Sequence, residues 1–108
     1  LRVEADLKLS LGEFSIEEAA QYLARTVPMD PDNAREQSQF FCNNPGQPIS
    51  YQLGKYQIQK FLAEARTQLK EKFQLREFHD QLIQNGNVPI SLQRWEYLGL
   101  GDEIQKLW

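Results

Sequence analysis

The sequence predicts an all-α fold, an irregular bundle of five or six helices around one long central helix. Three observations carry that prediction. The stretch from Asn43 to Phe73 opens with a Pro-Gly turn and continues as the longest helical pattern in the chain. Helix start and stop signals recur along the rest, from Ser15 with Glu18 to Asn85-Gly86. The composition is ordinary for a globular protein, with 41% hydrophobic and 25% charged residues.

Leu1 to Leu11 has apolar residues at every odd position, and strict alternation is a strand signal. Leu1, Ala5 and Leu9 also fall at helical spacing, and Glu4 with Lys8 forms an i,i+4 pair that favours helix. Periodicity alone leans to strand, and Gly12 ends the segment. Ser15 with Glu18 three residues on completes a capping box, and Phe14 with Ala19 occupies the positions of a hydrophobic staple. The next helix turns Ile16, Ala19, Ala20, Leu23 and Val27 inward and closes at Pro28.

Asp30-Pro31 supplies an N-cap and a first-position proline. That helix runs to about Cys42, with Ala34, Phe41 and Phe40 inward, and Asn43 to Gly46 makes a turn. The long helix is expected from Pro48. Its stripe is Tyr51, Ile58, Leu62, Ala65 and Leu69, with Leu53, Phe61 and Phe73 on the flanks. Gly54 interrupts it at about 1 kcal/mol against alanine, which points to close approach of another backbone. A break near Phe73-Gln74 leads to a helix over Leu75 to Gln84, with Leu75, Phe78, Leu82 and Ile83 inward, stopped by Asn85-Gly86. Val88-Pro89-Ile90 reads as extended. Ser91 is expected to cap a short helix carrying Leu92, Trp95 and Leu98, which Gly99 and Gly101 break. Asp102 starts a last turn ending in Leu107-Trp108.

The chain has 108 residues, enough for one domain that buries roughly two-thirds of its unfolded surface. It shows no internal repeat, no low-complexity linker and no domain boundary, so residues 1–108 read as a single helical unit. The net charge of −3 argues against nucleic acid, because a phosphate-binding domain shows a clustered basic excess. One cysteine permits no internal disulfide. No apolar run approaches the roughly 18 residues that a membrane span needs. The chain begins at Leu1 and its one methionine is Met29, so the expectation is either that a front segment has been removed or that this is a piece of a longer protein.

The search for chemistry is mostly negative. One histidine and one cysteine, far apart, make no metal motif, and no cofactor is expected in this chain. His79, beside Asp80, reads as a helix histidine that hydrogen-bonds locally, and Cys42 as a small buried residue. The glycines of PGQPISYQLGK are wrongly spaced for a phosphate loop. The aromatics fall at helical spacings without a basic stripe, which fits a core. Gln47 and Tyr51 stand apart: they are four residues apart at a helix start, where free N–H groups and partial positive charge collect. On the residues alone, Gln47 capping the helix with Tyr51 packed inward is the preferred reading. The other is a place to hold a peptide carbonyl or carboxylate.

The runs PGQPISYQLGKYQI and LAEARTQLKEKFQLREFHDQLIQNGNVPISL resemble the C-terminal region of the bacterial domain of unknown function 885 family, which reads PGQALSYxxG, a long helix, then FDLRxFHDxxLxxGxxPL. RVEADLKLSLGEFSIEEAAQYL is similar to that family's R-x-x-x-D-x-x-x-H segment and the W-[ST]-x-E-x-A pattern after it. The resemblance covers nearly the whole chain and tips Leu1 to Leu11 towards helix. Members look like zinc metallopeptidases several times larger than this chain, with an HExxPGH-type zinc motif upstream. The resemblance therefore implies the C-terminal helical part of a zinc-dependent peptidase-like protein. This chain would supply a cleft wall, and zinc would be held elsewhere in the parent, in a bacterial cytoplasm or periplasm. Its partners would be the remainder of the parent and a peptide substrate. Gln47 and Tyr51 match the motif's Gln and Tyr and would contact substrate or a developing oxyanion. Gly46 and Gly54 match its glycines, with a backbone role. His79 matches the FHD histidine, with a structural or supporting role. Three departures stand out: Ser10 replaces the usual histidine, Phe40-Phe41 an Arg-Tyr pair, and Pro48 the usual alanine. The alternative is a free-standing helical module that binds a partner helix without catalysis.

Overall fold

The computed structural model describes residues 1–107. Six α-helices follow one another: α1 (Arg2–Ser10), α2 (Ile16–Thr26), α3 (Pro31–Asn43), α4 (Gln47–Leu69), α5 (Leu75–Gln84) and α6 (Ile90–Leu98). Single 3₁₀ turns lie at Lys70–Lys72 and Gln105–Leu107. No strand occurs among the described residues. The all-helical expectation is met, and α4, at 23 residues, is the longest element. The described residues fall into two compact units, Leu1–Gln52 and a second that begins at Leu53. The last turn expected over Asp102 to Leu107-Trp108 is present to Leu107, while Trp108 lies outside the described residues.

In the first unit, α1 is a helix despite its alternating pattern. Adjacent residues Ala5 and Asp6 are both buried while Leu7 is exposed, an arrangement that fits a helix face and not one side of a strand. The Glu4–Lys8 pair forms at 2.9 Å, and the Lys8 ammonium also lies 4.9 Å from the Phe14 ring centre. The capping box of α2 is complete: Ser15 Oγ accepts the Glu18 N–H, and Glu18 Oε2 accepts the Ser15 N–H at 2.8 Å. The α2 apolar face buries Ala19 and Leu23. Asp30 caps α3 through the N–H groups of Asp32 and Asn33, with Pro31 in the first turn. The core of this unit is Ala5, Leu23, Ala34 and Phe41, ringed by Leu9, Ala20, Tyr22, Ala24 and Met29.

The second unit is built on an aromatic cluster. Phe61, Ala65, Phe78 and Leu98 are buried together. The Phe61 and Phe78 rings lie 4.8 Å apart at 61°, the tilted geometry that aromatic quadrupoles favour. Gln68 Nε2 donates to the Leu98 carbonyl at 3.0 Å, which ties α4 to the end of α6. Gly99, at φ 73°, closes α6 in the left-handed conformation that glycine adopts without strain. Arg94 is buried and forks onto both carboxylate oxygens of Glu64, and its Nη1 reaches Asp102. Lys60 pairs with Glu103 beside it.

Several inward assignments do not hold. Phe40, Tyr51, Leu53, Leu75, Ile83, Leu92 and Trp95 are exposed, as are Val27 and Cys42. α4 starts at Gln47 and not Pro48. α6 starts at Ile90 with Pro89 as its N-cap, so Ser91 lies inside the helix and caps nothing. A Cβ placed on Gly54 meets nothing within 4 Å, so no backbone approaches there. Conversely Asp6, Ser38, Gln93 and Arg94 are buried, although nothing in the apolar pattern marks them.

Candidate functional site

The turn Asn44-Pro45-Gly46 delivers the chain into α4. Gly46 sits at φ 81°, a backbone region that L side chains occupy only with strain, so glycine is the residue this entry needs. The Gly46 carbonyl accepts the Ser50 N–H at 3.2 Å, and the Gln47 N–H turns back to the Asn44 carbonyl at 3.2 Å. Gln47 is half-buried and Pro48 is buried. Tyr51, one turn on, is 69% exposed.

These residues line an open groove of about 840 Å³ within the first unit. α1 contributes Arg2, α3 contributes Gln37, Phe40 and Phe41, and α4 contributes Gln47 and Tyr51. Phe41 belongs to the core, so the groove is floored by the packed interior of its own unit. Arg2 is the one charged side chain among the lining residues. The amides, the phenol and the guanidinium offer donors, and the aromatic rings offer apolar wall.

The sequence-derived candidates separate here. Gln47 and Tyr51 come together, and Tyr51 is turned to solvent, not packed inward. Gln47 does not cap α4 with its side chain among the described residues; the Gly46 N–H is met instead by Asp6 Oδ2 at 3.0 Å. Asp6 was missed because an acid in an apolar-alternating run reads as surface. The one available signal is the R-x-x-x-D pattern, which places it one turn after the groove residue Arg2. Gly54 and His79 belong to the second unit and are not among the groove's lining residues. His79 is exposed on α5, 5.9 Å from the Phe78 ring centre, and Asp80 pairs at 3.8 Å with Arg76. A smaller apolar pocket of about 250 Å³ is lined by Leu92, Trp95, Gly101 and Ile104.

The strongest electrostatic perturbations fall outside the groove. Hydrogen bonds to Glu64 and then Asp102 hold the Arg94 guanidinium charged, outweighing its burial. The same contact with Arg94 holds the Asp102 carboxyl below its ordinary value. Tyr22 donates its hydroxyl to Glu4, which lowers the Glu4 carboxyl and raises the Tyr22 phenol. Among the described residues no three His, Cys, Asp or Glu side chains come together as a metal site, and no helix is long and apolar enough to cross a membrane.

No curated protein and no solved structure matches the chain. A family model does match, over residues 1–95, and its description is "Bacterial protein of unknown function (DUF885)". With that span covering most of its length, the chain belongs to the DUF885 family.

Proposed function

We propose that this chain is a wall of a peptide-binding cleft in a zinc-dependent peptidase-like parent protein. The observation that carries the reading is the placement of Gln47 and Tyr51 one helical turn apart on one groove, with the Tyr51 hydroxyl accessible. The Tyr51 O–H and the Gln47 amide donate to peptide carbonyl oxygen, and the α4 N-terminus favours negative charge that develops there. Arg2 attracts a carboxylate. The residues described here do not fit zinc, since no ligand set assembles, so no step of the reaction is routed through the metal in this chain.

Two of the departures from the family pattern line the groove: Phe40-Phe41, where the resemblance implies an Arg-Tyr pair, and Pro48, where it implies alanine; Ser10 is exposed on α1 and is not among the lining residues. Phenylalanines exchange charged contacts for apolar area, which favours a substrate with apolar or aromatic side chains. Each such side chain gains roughly 1.5–3 kcal/mol when fully buried.

The test uses the full-length protein loaded with zinc and assayed on peptides with aromatic side chains. Tyr51→Phe is expected to lower kcat about 100-fold, the scale of one oxyanion donor, with little change in melting temperature. An unchanged kcat returns Tyr51 to a surface role and removes the reading. A second reading, a module that binds a partner helix, is favoured by Ile49, Leu53 and Tyr56. These are exposed at i, i+4 and i+7 along α4, the spacing of an apolar stripe. The same stripe fits the remainder of the parent as its cover. Cross-linking from Leu53→Cys in the full-length protein separates the two, since an intramolecular product supports the cleft wall and an intermolecular one the module.

A further inference from the structure

Asp6 is 2% exposed, yet aspartate is rarely buried without a charged partner. No cation pairs with it among the described residues. Its one hydrogen bond comes from the Gly46 N–H, 40 residues along the chain, at the mouth of α4. The other oxygen, Oδ1, is buried without a partner. At that mouth the Gln47 N–H is taken by the Asn44 carbonyl at 3.2 Å and Pro48 has no N–H, so the Gly46 N–H is the donor that reaches Asp6. Among the described residues two side-chain hydrogen bonds tie the entry of α4 to the preceding helices: this one from α1, and the Asn44 amide donating to the Phe40 carbonyl of α3 at 3.1 Å. The Ser50 hydroxyl, by contrast, is spent inside α4 on the Gln47 carbonyl.

We propose that Asp6 is the positioning residue of the groove. Its carboxylate holds the left-handed Gly46 turn against α1 and so fixes where α4 presents Gln47 and Tyr51. Arg2, one turn earlier on α1, lines the same groove, so a single helix supplies both a groove residue and the anchor of the facing helix start. The claim that this placement serves a peptide rests on the function proposed above. The claim that Asp6 sets the placement does not.

The experiment compares wild type, Asp6→Asn and Asp6→Ala in the full-length protein. Amide hydrogen exchange is read at Gly46 and Ser50, and at Leu23 and Phe61 as core references. Binding of a dansyl-labelled tetrapeptide of glycine, phenylalanine, leucine and alanine is measured alongside. Asparagine keeps an acceptor oxygen, whereas alanine removes it. The expected result is exchange at Gly46 and Ser50 at least about tenfold faster in Asp6→Ala, with Asp6→Asn close to wild type and Leu23 unchanged in both. Peptide affinity should fall in Asp6→Ala and be restored in Asp6→Asn. If exchange rises equally at Gly46 and Leu23, or if both variants unfold, Asp6 is a general core residue and the proposal is overturned. Unchanged exchange at Gly46 in Asp6→Ala also overturns it. If the wild-type chain binds no peptide while the exchange pattern is as expected, the peptide reading fails and the positioning role stands.

Discussion

Arg94 shows how a single side chain can be decisive and still invisible to pattern reading. It is buried, while its acidic partners keep solvent: the Glu64 side chain is 26% exposed and Asp102 is 54% exposed. Removing the cation leaves three anions, Glu64, Asp102 and Glu103, that water can reach, whereas removing Glu64 takes the two-pronged partner from a buried cation. Glu64→Leu is therefore expected to destabilise the chain by about 3 kcal/mol, and Arg94→Met by clearly less. Chemical denaturation of the two variants checks the order, and a larger loss for Arg94→Met would show that the guanidinium acts mainly by filling space. Tyr51 is the opposite case. Periodicity places it on an inward stripe, yet it is exposed on the open groove of the first unit. Apolar spacing says where a face is continuous along a helix and not how far along that helix the core reaches. Asp6, buried with one long-range bond to the Gly46 N–H, and Gln93, buried with one bond to the Val88 carbonyl five residues back, carry no mark in the apolar pattern.

Elements fixed by their own few residues were the most legible. The Ser15–Glu18 box and the Asp30-Pro31 start were both readable because their partners are three or fewer residues away. Ser15→Ala is expected to cost about 1 kcal/mol, seen as a lower urea midpoint with unchanged slope. α1 was ambiguous because alternation and helical spacing coincide over eleven residues, and only tertiary burial of Ala5 beside Asp6 separates them. The end of α4 was read as a plain break near Phe73. The chain in fact turns at Lys70, which has φ 49°, the one non-glycine residue with positive φ among those described. Lys70→Gly relieves that conformation and is expected to stabilise by about 0.5–1 kcal/mol, measured by thermal melting. A loss of stability would mean that the lysine side chain contributes more than the backbone costs.

For the whole molecule, the legible part was the fold class and the family, both set by many weak signals in agreement. The groove was legible only as a pair of residues, since its floor and far wall come from α1 and α3, which no local pattern joins to α4. Acid response belongs to this scale. Asp102 is held below its ordinary value of 3.8 by Arg94, and Glu18 and Glu4 are likewise depressed by donors from Ser15 and Tyr22. A depressed carboxyl stabilises the folded state above its unfolded value, and that contribution is lost as pH falls through the lower folded value. Stability is therefore expected to be flat from neutral pH to about 5 and to decline below about 4. Circular dichroism melts across that range check it, and a decline already near pH 6 would overturn it.

The exposed thiol of Cys42 follows Phe41, whose ring floors the groove, and the chain contains no second sulfhydryl to compete with it. A maleimide dye attached there, on the last turn of α3, labels the first unit at a single position. The same accessibility means that storage in air without a reductant will link pairs of chains through this one atom.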